Sequence, residues 1–341
     1  LCRINKKLMK KKIKIGFTFN LNQNSGPSIF LKRLKDNIAE NKLSYVSNIF
    51  NPFNDILIFS NKVRNIYNKK YIFRIDGPNV DFSLYRKNNR KYVDENIFNG
   101  AQNSSGIIFQ SKFCKMLFNK FYKLNKQIRS KIIYNGVDNK IFNENGNNYK
   151  KKLGISNQLI FLTSANWRNH KRLQCTINSF NYFKDNFNKK IKLIVIGNID
   201  KTIKGLNKNI IQAGYVKTKY LPMWYRSADI YLFFSWIDYC PNTVVEAISS
   251  KLPVLCTNLG GTHELVQKCK AGLILKNDSD LNFDIPFNLN KPPKINVKKA
   301  YDKIKFISKN IKEIKQDIDL HNIDINNTSR VYFDFIKNTL D

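Results

Sequence analysis

The sequence predicts an α/β protein of two domains, each a parallel β-sheet covered by helices. Three observations lead to this prediction. The 341 residues are enough for about two domains of ordinary size. Short runs rich in β-branched and aromatic residues recur, and most are followed by a stretch with helical spacing of apolar residues, which is typical of parallel sheets. A polar Asn- and Gly-rich segment at 143–148 separates two such series and marks the expected domain boundary.

The N-terminal series begins with a predicted strand at 13–17. A loop at 25–27 follows, and then a helix whose apolar side chains recur at helical spacing from Ile29 to Ile38. The other elements predicted in this half are strands at 55–59, 71–75, 106–110 and 132–134 and a helix at 112–122.

The C-terminal series repeats the pattern and ends in a polar, Lys-rich helical tail after Pro293. Its predicted elements are strands at 159–163, 191–196, 210–212, 230–234 and 253–256 and helices at 173–183 and 244–250. We expect an N-terminal domain at 9–147, beginning at Met9, a C-terminal domain at 148–290, and a tail at 291–341 that packs back on the N-terminal domain. Because open parallel sheets bind ligands beyond the carboxyl ends of their strands, two such domains predict a ligand cleft.

The charge of the chain is its most unusual property. Lys and Arg number 59 against 25 Asp and Glu, which gives a formal net charge of +34. Most of the basic residues are Lys, and Lys, Asn, Ile, Phe and Tyr are the residues of AT-rich codons, so compositional drift explains much of the excess. A nucleic-acid-binding protein is the alternative, but Arg, which suits base and phosphate recognition, is scarce and no nucleic-acid motif is present. The excess leans toward the N-terminal half, which predicts weak contact with an anionic membrane.

Cysteine spacing and hydropathy indicate the cellular compartment in which we expect the protein. The six cysteines show no C-x-x-C spacing, which argues against a zinc site and a disulfide framework and favours a reducing cytoplasm. No apolar run approaches the roughly 18–20 residues of a spanning helix. We therefore expect a cytoplasmic protein that is soluble or peripheral on the inner face of the membrane.

The most informative segment is 235–247, between an apolar strand and a helix. Pro241 and Asn242 suit a turn, and Asn242 or Thr243 is expected to cap the helix, so that the first backbone N–H groups form an anion site. Asp238 and Glu246 flank this helix start. Two carboxylates beside a phosphate site are explained if they accept hydrogen bonds from sugar hydroxyls joined to that phosphate.

This segment, together with the Pro-Val strand at 250–254 and the Gly-Gly-x-x-Glu-Leu-Val run at 260–266, resembles the donor-site signature of retaining GT-B glycosyltransferases of family 4, the glycosyl transferases group 1. The resemblance extends over most of residues 13 to about 275. It implies the GT-B fold, in which two Rossmann-like domains with parallel sheets face each other across a cleft. It also implies a donor site in the C-terminal domain and an acceptor site in the N-terminal domain.

The basic loop at 164–173 resembles the family's loop after the first donor-domain strand. By resemblance, Arg168 and Lys171 bind the donor diphosphate, Glu246 binds the ribose and Asp238 binds the sugar. Two cations on a diphosphate would neutralise the leaving group, which is the task of a metal in other enzymes. We therefore expect no metal and no cofactor besides the nucleotide-diphosphate sugar. The remaining donor-binding residues implied by the resemblance are Gly26, Gly214, Tyr215, Val216, Pro241, Asn242, Thr243 and Val244.

The sequence also departs from the family pattern. Asp238 stands where Glu is usual, and the family's N-terminal glycine-rich turn is reduced to a single Gly26. A His common at a strand end of the acceptor domain is absent, and Arg74 and Asp76 occupy that place, which makes them candidate acceptor-side residues. Each donor assignment has a structural alternative: Glu246 could be an acid stabilised by the helix dipole, and the loop cations could be merely solvated.

The predicted function is a metal-independent retaining glycosyltransferase, a hexosyltransferase that moves a sugar from a nucleotide-diphosphate sugar to a glycan, polysaccharide or lipid-linked acceptor hydroxyl. The resemblance suggests surface polysaccharide or lipopolysaccharide biosynthesis. No nucleic-acid partner is expected. Two alternatives remain at this point: a basic protein that binds nucleic acid or an anionic surface, and another GT-B enzyme such as a nucleotide-sugar epimerase.

Overall fold

The computed structural model describes residues 12–17, 25–60, 62–63, 69–78, 91–187, 189–278 and 289–340, with the side chains of 91–94 excepted. The predicted start at Met9 lies outside these residues. Within these residues the chain forms two six-stranded sheets, both entirely parallel. This confirms the predicted fold class.

The first sheet has the strand order β2-β1-β3-β4-β5-β6. Its strands are β1 (Lys14–Phe17), β2 (Tyr45–Asn48), β3 (Ile56–Ser60), β4 (Tyr71–Ile75), β5 (Gly106–Phe109) and β6 (Ser130–Ile132), and its helices are α1 (Gly26–Glu40), α2 (Lys91–Gln102) and α3 (Lys112–Phe121). The sequence analysis missed β2 and α2. β2 is an edge strand with no fully buried residue, so it carries no apolar run, and β6 begins two residues before its predicted position.

The second sheet has the order β12-β11-β10-β7-β8-β9. Its strands are β7 (Leu159–Ser164), β8 (Ile191–Ile196), β9 (Ile210–Gly214), β10 (Ile230–Phe233), β11 (Val254–Thr257) and β12 (Gly272–Leu275), and its helices are α4 (Leu173–Asp185), α5 (Leu221–Arg226), α6 (Asn242–Ser249) and α7 (Thr262–Lys268). β7 and β10 lie side by side at the centre, so the loops that follow them emerge together at one edge. The sequence analysis missed β12, whose residues are mostly half-buried.

The C-terminal tail forms α8 (Val297–Lys309), α9 (Ile311–Asp317) and α10 (Ile325–Leu340). α8 packs against α4 on the second sheet. α10 instead packs against α1, and its Tyr332 and Ile336 lie in the same apolar core as Ile15 of the first sheet. The chain therefore crosses twice between the sheets, once after β6 and once before α10.

The crossing after β6 begins before the polar 143–148 segment. Tyr134, Val137 and Phe142 already pack in the core of the second sheet. Val137 also exchanges backbone hydrogen bonds with Ile323 and Ile325 at the return crossing, at 2.8 and 3.1 Å. The two connections thus lie beside each other. In the described part of the chain, no helix is both long and apolar enough to span a bilayer.

Candidate active site

A cavity of about 500 Å³ opens between the two sheets at the carboxyl ends of their strands. Loops from both domains line it, which places the cleft where parallel sheets usually bind ligands. The predicted site residues in its lining are Gly26, Asp76, Arg168, Lys171, Asp238, Pro241, Asn242, Thr243 and Glu246.

Lys171 and Asp238 meet in the lining of the cavity, on the predicted donor side. Lys171 follows β7 and Asp238 follows β10, and their side chains form an ion pair through Nζ and Oδ2. The Tyr239 N–H donates to the other carboxylate oxygen, Oδ1, at 3.0 Å. The Lys171 ammonium also lies 5.8 Å from the ring centroid of Phe233. The structure thus brings together a predicted diphosphate-binding cation and the predicted sugar-binding carboxylate.

Two further loop residues face the cavity. Arg168 is exposed at its edge, where a soluble ligand would reach it. His170 also lines the cavity, and burial, followed by the nearby Lys171, lowers the pKa of His170 to about 4. The carbonyl of His170 accepts a 2.8 Å hydrogen bond from the Trp236 N–H, which ties the loop after β7 to the loop after β10. His170 is therefore a neutral imidazole at pH 7.

Arg172, which the sequence analysis did not single out, anchors the loop that carries Lys171. Its backbone adopts the left-handed conformation, with φ of 53°, at the junction with α4. Its buried guanidinium makes a bidentate ion pair with Asp278 at 2.7 and 2.8 Å and donates to the Phe234 carbonyl at 2.5 Å. In a chain with so many basic residues, nothing in the sequence distinguished this cation from its neighbours.

Glu246 is buried on the first turns of α6, with 4% of its side chain exposed. Its Oε1 accepts from Arg33 Nη2 at 2.5 Å, and its Oε2 accepts from the Tyr225 hydroxyl at 3.0 Å. Burial, followed by the Glu246 charge, raises the pKa of Tyr225 well above its usual value, so the hydroxyl keeps its proton. The predicted ribose-binding carboxylate is thus oriented by one residue from each domain.

The start of α6 differs in detail from the prediction. Pro241 is the N-cap residue, and no side chain caps the helix, so the predicted cap by Asn242 or Thr243 is wrong. The Asn242 side chain instead donates to the Gly26 carbonyl at 2.8 Å, across the cleft. The Val244 N–H, expected to face the diphosphate, donates to the Pro241 carbonyl at 3.1 Å, and the Val244 side chain is buried.

Gly260 and Gly261 pack closely against the backbone of the loop that carries Asp238. A Cβ on Gly260 would lie 2.7 Å from the Asp238 carbonyl oxygen, and one on Gly261 would overlap the Tyr239 carbonyl oxygen. The Gly261 N–H donates to the Asp238 carbonyl at 2.6 Å. Glycine is therefore required here by close backbone approach, and at Gly260 also by a φ of +88°.

Gly214, Tyr215 and Val216 lie at the carboxyl end of β9, outside the lining of the cavity. The Gly214 carbonyl accepts from the Gly197 N–H at 2.8 Å. Tyr215 is 62% exposed. β9 is two strands from β7 in the sheet. These residues therefore lie on the same edge of the sheet as the loop that carries Lys171, but farther from the cavity.

On the acceptor side, only one of the two predicted residues faces the cavity. Asp76 lines it, whereas Arg74 is completely buried and outside the lining, so Arg74 cannot touch an acceptor directly. Arg74 forms an ion pair with Asp76 and donates to the Tyr332 hydroxyl at 3.1 Å. Its guanidinium also stacks 4.6 Å from the ring centroid of Phe30. Arg74 therefore positions Asp76.

Asn135 joins the acceptor side to the donor side. Its side-chain oxygen accepts from Arg74 Nη2 at 2.7 Å, and its amide donates to the Cys240 carbonyl and to Asn242 Oδ1, both at 2.9 Å. Asn135 is 3% exposed. A continuous chain of hydrogen bonds thus runs from Asp76 through Arg74 and Asn135 to the start of α6.

Glu264 makes a second connection between the domains. Its carboxylate accepts from the backbone N–H groups of Lys112 and Phe113, at 2.8 and 2.7 Å, and so caps α3 of the first sheet. It also accepts from the Tyr134 hydroxyl at 2.7 Å. The Glu of the Gly-Gly-x-x-Glu run therefore holds the domains together and lies outside the lining of the cavity.

Comparison with known proteins agrees with this geometry. Residues 156–283 match the family model described as Glycosyl transferases group 1. This part of the chain is therefore similar to the group 1 glycosyltransferases. It contains Lys171, Asp238 and Glu246, and the match confirms the resemblance stated from the sequence motifs.

Solved structures extend the likeness to both domains. Sucrose-phosphate synthase from Thermosynechococcus elongatus superposes with a TM-score of 0.71 at 12% identity, covering 96% of this chain and 99% of that one. Anabaena HepE in complex with UDP and glucose gives 0.68 at 14% identity, covering 96% and 100%. WaaG, a glycosyltransferase involved in lipopolysaccharide biosynthesis, gives 0.61 at 14% identity, covering 95% and 99%. The predicted GT-B fold is therefore confirmed. No curated protein sequence matches the chain significantly.

Proposed function

We propose that the chain is a retaining glycosyltransferase that transfers a sugar from a nucleotide-diphosphate sugar, held by the group 1 domain, to an acceptor hydroxyl presented by the N-terminal domain. The observation that carries the proposal is the convergence of Lys171, Asp238 and Glu246 on one cavity between the sheets. The sequence analysis selected Lys171 in the loop at 164–173, and Asp238 and Glu246 in the segment at 235–247. The complex of the structural neighbour HepE with UDP and glucose supports a donor of this class.

The donor diphosphate would bind between Lys171 and Arg168. Lys171 is paired with Asp238, so an entering diphosphate would compete with that carboxylate for the ammonium. As the bond to the sugar breaks, negative charge grows on the departing diphosphate, and fixed cations stabilise this charge more than that of the bound donor. This task would otherwise require a metal, which is why we propose a metal-independent reaction.

Retention follows in the proposal from the order of events. With the leaving group stabilised early, the sugar develops oxocarbenium-like character before the acceptor hydroxyl attacks. Attack then occurs on the face that the diphosphate leaves, and the departing diphosphate accepts the acceptor's proton. Asp238 would hold the sugar hydroxyls, and the shorter Asp in place of Glu would shape the choice of sugar.

The acceptor would bind beside Asp76, opposite the donor site. Asp76 lines the cavity from the first sheet, and Arg74 holds its carboxylate in place. The Asp76 side chain is 4% exposed, and in the proposal this carboxylate accepts a hydrogen bond from a sugar hydroxyl once acceptor binding uncovers it. We propose a glycan, polysaccharide or lipid-linked acceptor, which the likeness to WaaG supports.

Peripheral contact with a membrane is supported by an exposed aromatic surface on the N-terminal domain. Phe50 and Phe53, in the loop after β2, are 59% and 72% exposed. Lys12 and Lys14 lie over the rings of Tyr45 and Phe53, at 5.5 and 5.4 Å from their centroids. Aromatic rings beside lysines suit the headgroup region of an anionic bilayer.

Vesicle sedimentation tests this contact. The wild-type chain should pellet with phosphatidylcholine vesicles only when they contain phosphatidylglycerol, and Phe50→Ser with Phe53→Ser should abolish pelleting. Phe306→Ser is the matched control, because Phe306 is 53% exposed on α8, which packs on the second sheet. Equal pelleting of the double variant, or binding to RNA in preference to vesicles, would contradict the membrane proposal.

The enzyme activity is tested with a panel of labelled nucleotide sugars and extracted glycan acceptors. We expect one donor to give a product in which the labelled sugar is attached to the acceptor with the anomeric configuration of the donor. Transfer with inverted configuration would contradict retention. Epimerised donor without transfer would instead identify an epimerase.

A further inference from the structure

Arg33 belongs to α1 of the N-terminal domain, yet its side chain ends in the donor site of the other domain. Its Nη2 donates to Glu246 Oε1 at 2.5 Å. Its guanidinium lies 5.4 Å from the ring centroid of Phe142, and 15% of the side chain is exposed. The sequence analysis did not select Arg33, because nothing in the pattern of α1 distinguishes it from neighbouring lysines.

Both members of this ion pair have unused hydrogen-bonding capacity. No described residue accepts a hydrogen bond from the buried Nη1 of Arg33. Glu246 accepts one bond on each oxygen, from Arg33 and from Tyr225. Because a carboxylate offers about four acceptor positions, Glu246 can accept two more bonds. A buried donor without a partner is costly, so a ligand that supplies an acceptor here is favoured.

We propose that Arg33 is a donor-binding residue contributed by the acceptor-side domain. Glu246 accepts hydrogen bonds from the ribose hydroxyls of the nucleotide, and Arg33 Nη1 donates to a ribose oxygen. The proposal rests on the proposed function, since it assumes a nucleotide in this cavity. Its consequence is that the nucleotide site is complete only when α1 and α6, which belong to different sheets, are in contact.

This arrangement predicts that the site distinguishes ribonucleotides from 2′-deoxyribonucleotides. A ribose hydroxyl can donate to Glu246 and accept from Arg33 at once. Removing the hydroxyl leaves buried polar groups unpaired, and sites built around a substrate hydroxyl reject analogues that lack it more strongly than apolar pockets do. A merely structural ion pair between the domains would show no such selection.

The experiment compares UDP, GDP and ADP with their 2′-deoxy counterparts by calorimetric titration. The variants are Arg33→Ala, Arg33→Lys and the control Lys32→Ala. Lys32 is the neighbouring residue on α1, 57% exposed and paired only with Asp36 among the described residues, so its loss removes one positive charge without touching the site.

We expect the wild-type chain to bind its ribonucleotide about tenfold more tightly than the 2′-deoxy form, as for one charge-assisted hydrogen bond. In Arg33→Ala this preference should fall to about twofold or less, while Lys32→Ala keeps it. Arg33→Lys should retain part of the affinity but lose the preference, because an ammonium lacks the planar fork of two directed nitrogens. In turnover, Arg33→Ala should raise the donor KM and leave kcat within about twofold, as expected for binding equal in ground and transition states.

A ribose preference that survives in Arg33→Ala would overturn this proposal, and so would wild-type binding that ignores the 2′-hydroxyl. If the wild-type chain bound none of the three nucleotides, the proposed function itself would be contradicted. The two failures are therefore distinguishable.

Discussion

At the scale of single residues, the proposed donor site consists of charged side chains that form ion pairs with one another. Lys171 pairs with Asp238, and Glu246 pairs with Arg33. A ligand with a diphosphate and hydroxyls offers each of these groups a replacement partner, so binding exchanges ion pairs without leaving buried charges alone. This explains how a chain with a net charge of +34 keeps a few cations in defined positions.

Lys171→Ala should lower kcat/KM for donor turnover by roughly a hundredfold to a thousandfold, the usual cost of one preorganised group that stabilises transition-state charge. Lys201→Ala, at an exposed lysine of the same domain, is the control and should be neutral. Circular dichroism should show both variants folded. Turnover of Lys171→Ala within twofold of the wild-type value would exclude Lys171 from the chemistry.

His170 makes stability depend on pH in a defined direction. Its pKa is about 4 in the folded chain against the usual 6.5, so between these values the unfolded chain binds a proton that the folded chain does not. The contribution of the neutral His170 side chain to the free energy of unfolding is fully present above about pH 6.5 and is lost as the pH falls toward 4. Thermal melts from pH 7.5 to 4.5 should therefore show a steeper loss for the wild-type chain than for His170→Gln. His321→Gln, at an exposed histidine of the tail, is the control, and parallel curves for the wild-type chain and His170→Gln would refute the prediction.

The sequence could predict the residues that face the ligand better than those that hold them. Lys171, Asp238 and Glu246 occur in segments of characteristic order, and all three line the cavity. Arg172 and Asn135 are supporting residues, and Arg33 is proposed to bind the ribose itself. The partners of all three are distant in the chain, so no local pattern reveals them. Arg74 was selected with Asp76, but only the structure shows that Arg74 is completely buried and that Asp76 lies in the lining of the cavity.

At the scale of elements, the site depends on loops packed against each other at the carboxyl ends of β7, β10 and β11. Trp236 bonds to the loop after β7, and Gly261 bonds to the loop after β10. The strands β7 and β10, which carry two of these loops, were predicted closely because their residues are mostly apolar and almost all buried. The strands β2 and β12 were missed because most of their residues are exposed or half-buried.

Gly261→Ala should disturb the Asp238 loop directly. The added Cβ would overlap the Tyr239 carbonyl oxygen and lie 2.7 Å from Ser111 Oγ, so the backbone must move. We expect a loss of about 1–3 kcal/mol in the free energy of unfolding, typical of overpacking, and a larger proportional loss of activity. Gly154→Ala is the control. Gly154 has a positive φ, but a Cβ added there would have no other atom within 4 Å. Equal effects of the two substitutions on activity would contradict the supporting role of Gly261.

At the scale of the whole molecule, the two sheets are held together around the cavity by polar contacts. Asn135 and Glu264 each join the first sheet to the loops of the second. The tail returns from the second sheet to the first, where the Tyr332 hydroxyl on α10 accepts a hydrogen bond from Arg74. The geometry of the proposed acceptor side therefore depends on α10.

Tyr332→Phe tests this dependence. It removes one hydroxyl and leaves a buried guanidinium N–H of Arg74 without its acceptor, at an expected cost of about 1–3 kcal/mol in chemical denaturation. The acceptor KM should rise, while donor affinity should remain unchanged. Tyr301→Phe is the matched control, because that hydroxyl donates to the Asn186 carbonyl at an exposed position. An unchanged acceptor KM in Tyr332→Phe would show that α10 stabilises the domain without shaping the acceptor site.

The central claim, that the cavity between the sheets is a nucleotide-sugar donor site, is tested most directly by nucleoside diphosphate release. The wild-type chain and Lys171→Ala should each be incubated with UDP-, GDP- and ADP-sugars, with and without acceptor. We predict saturable release from one nucleotide class by the wild-type chain, stimulated by acceptor, and little release by Lys171→Ala at the same melting temperature. Equal release by both proteins, or none from any donor by the wild-type chain, would contradict the claim.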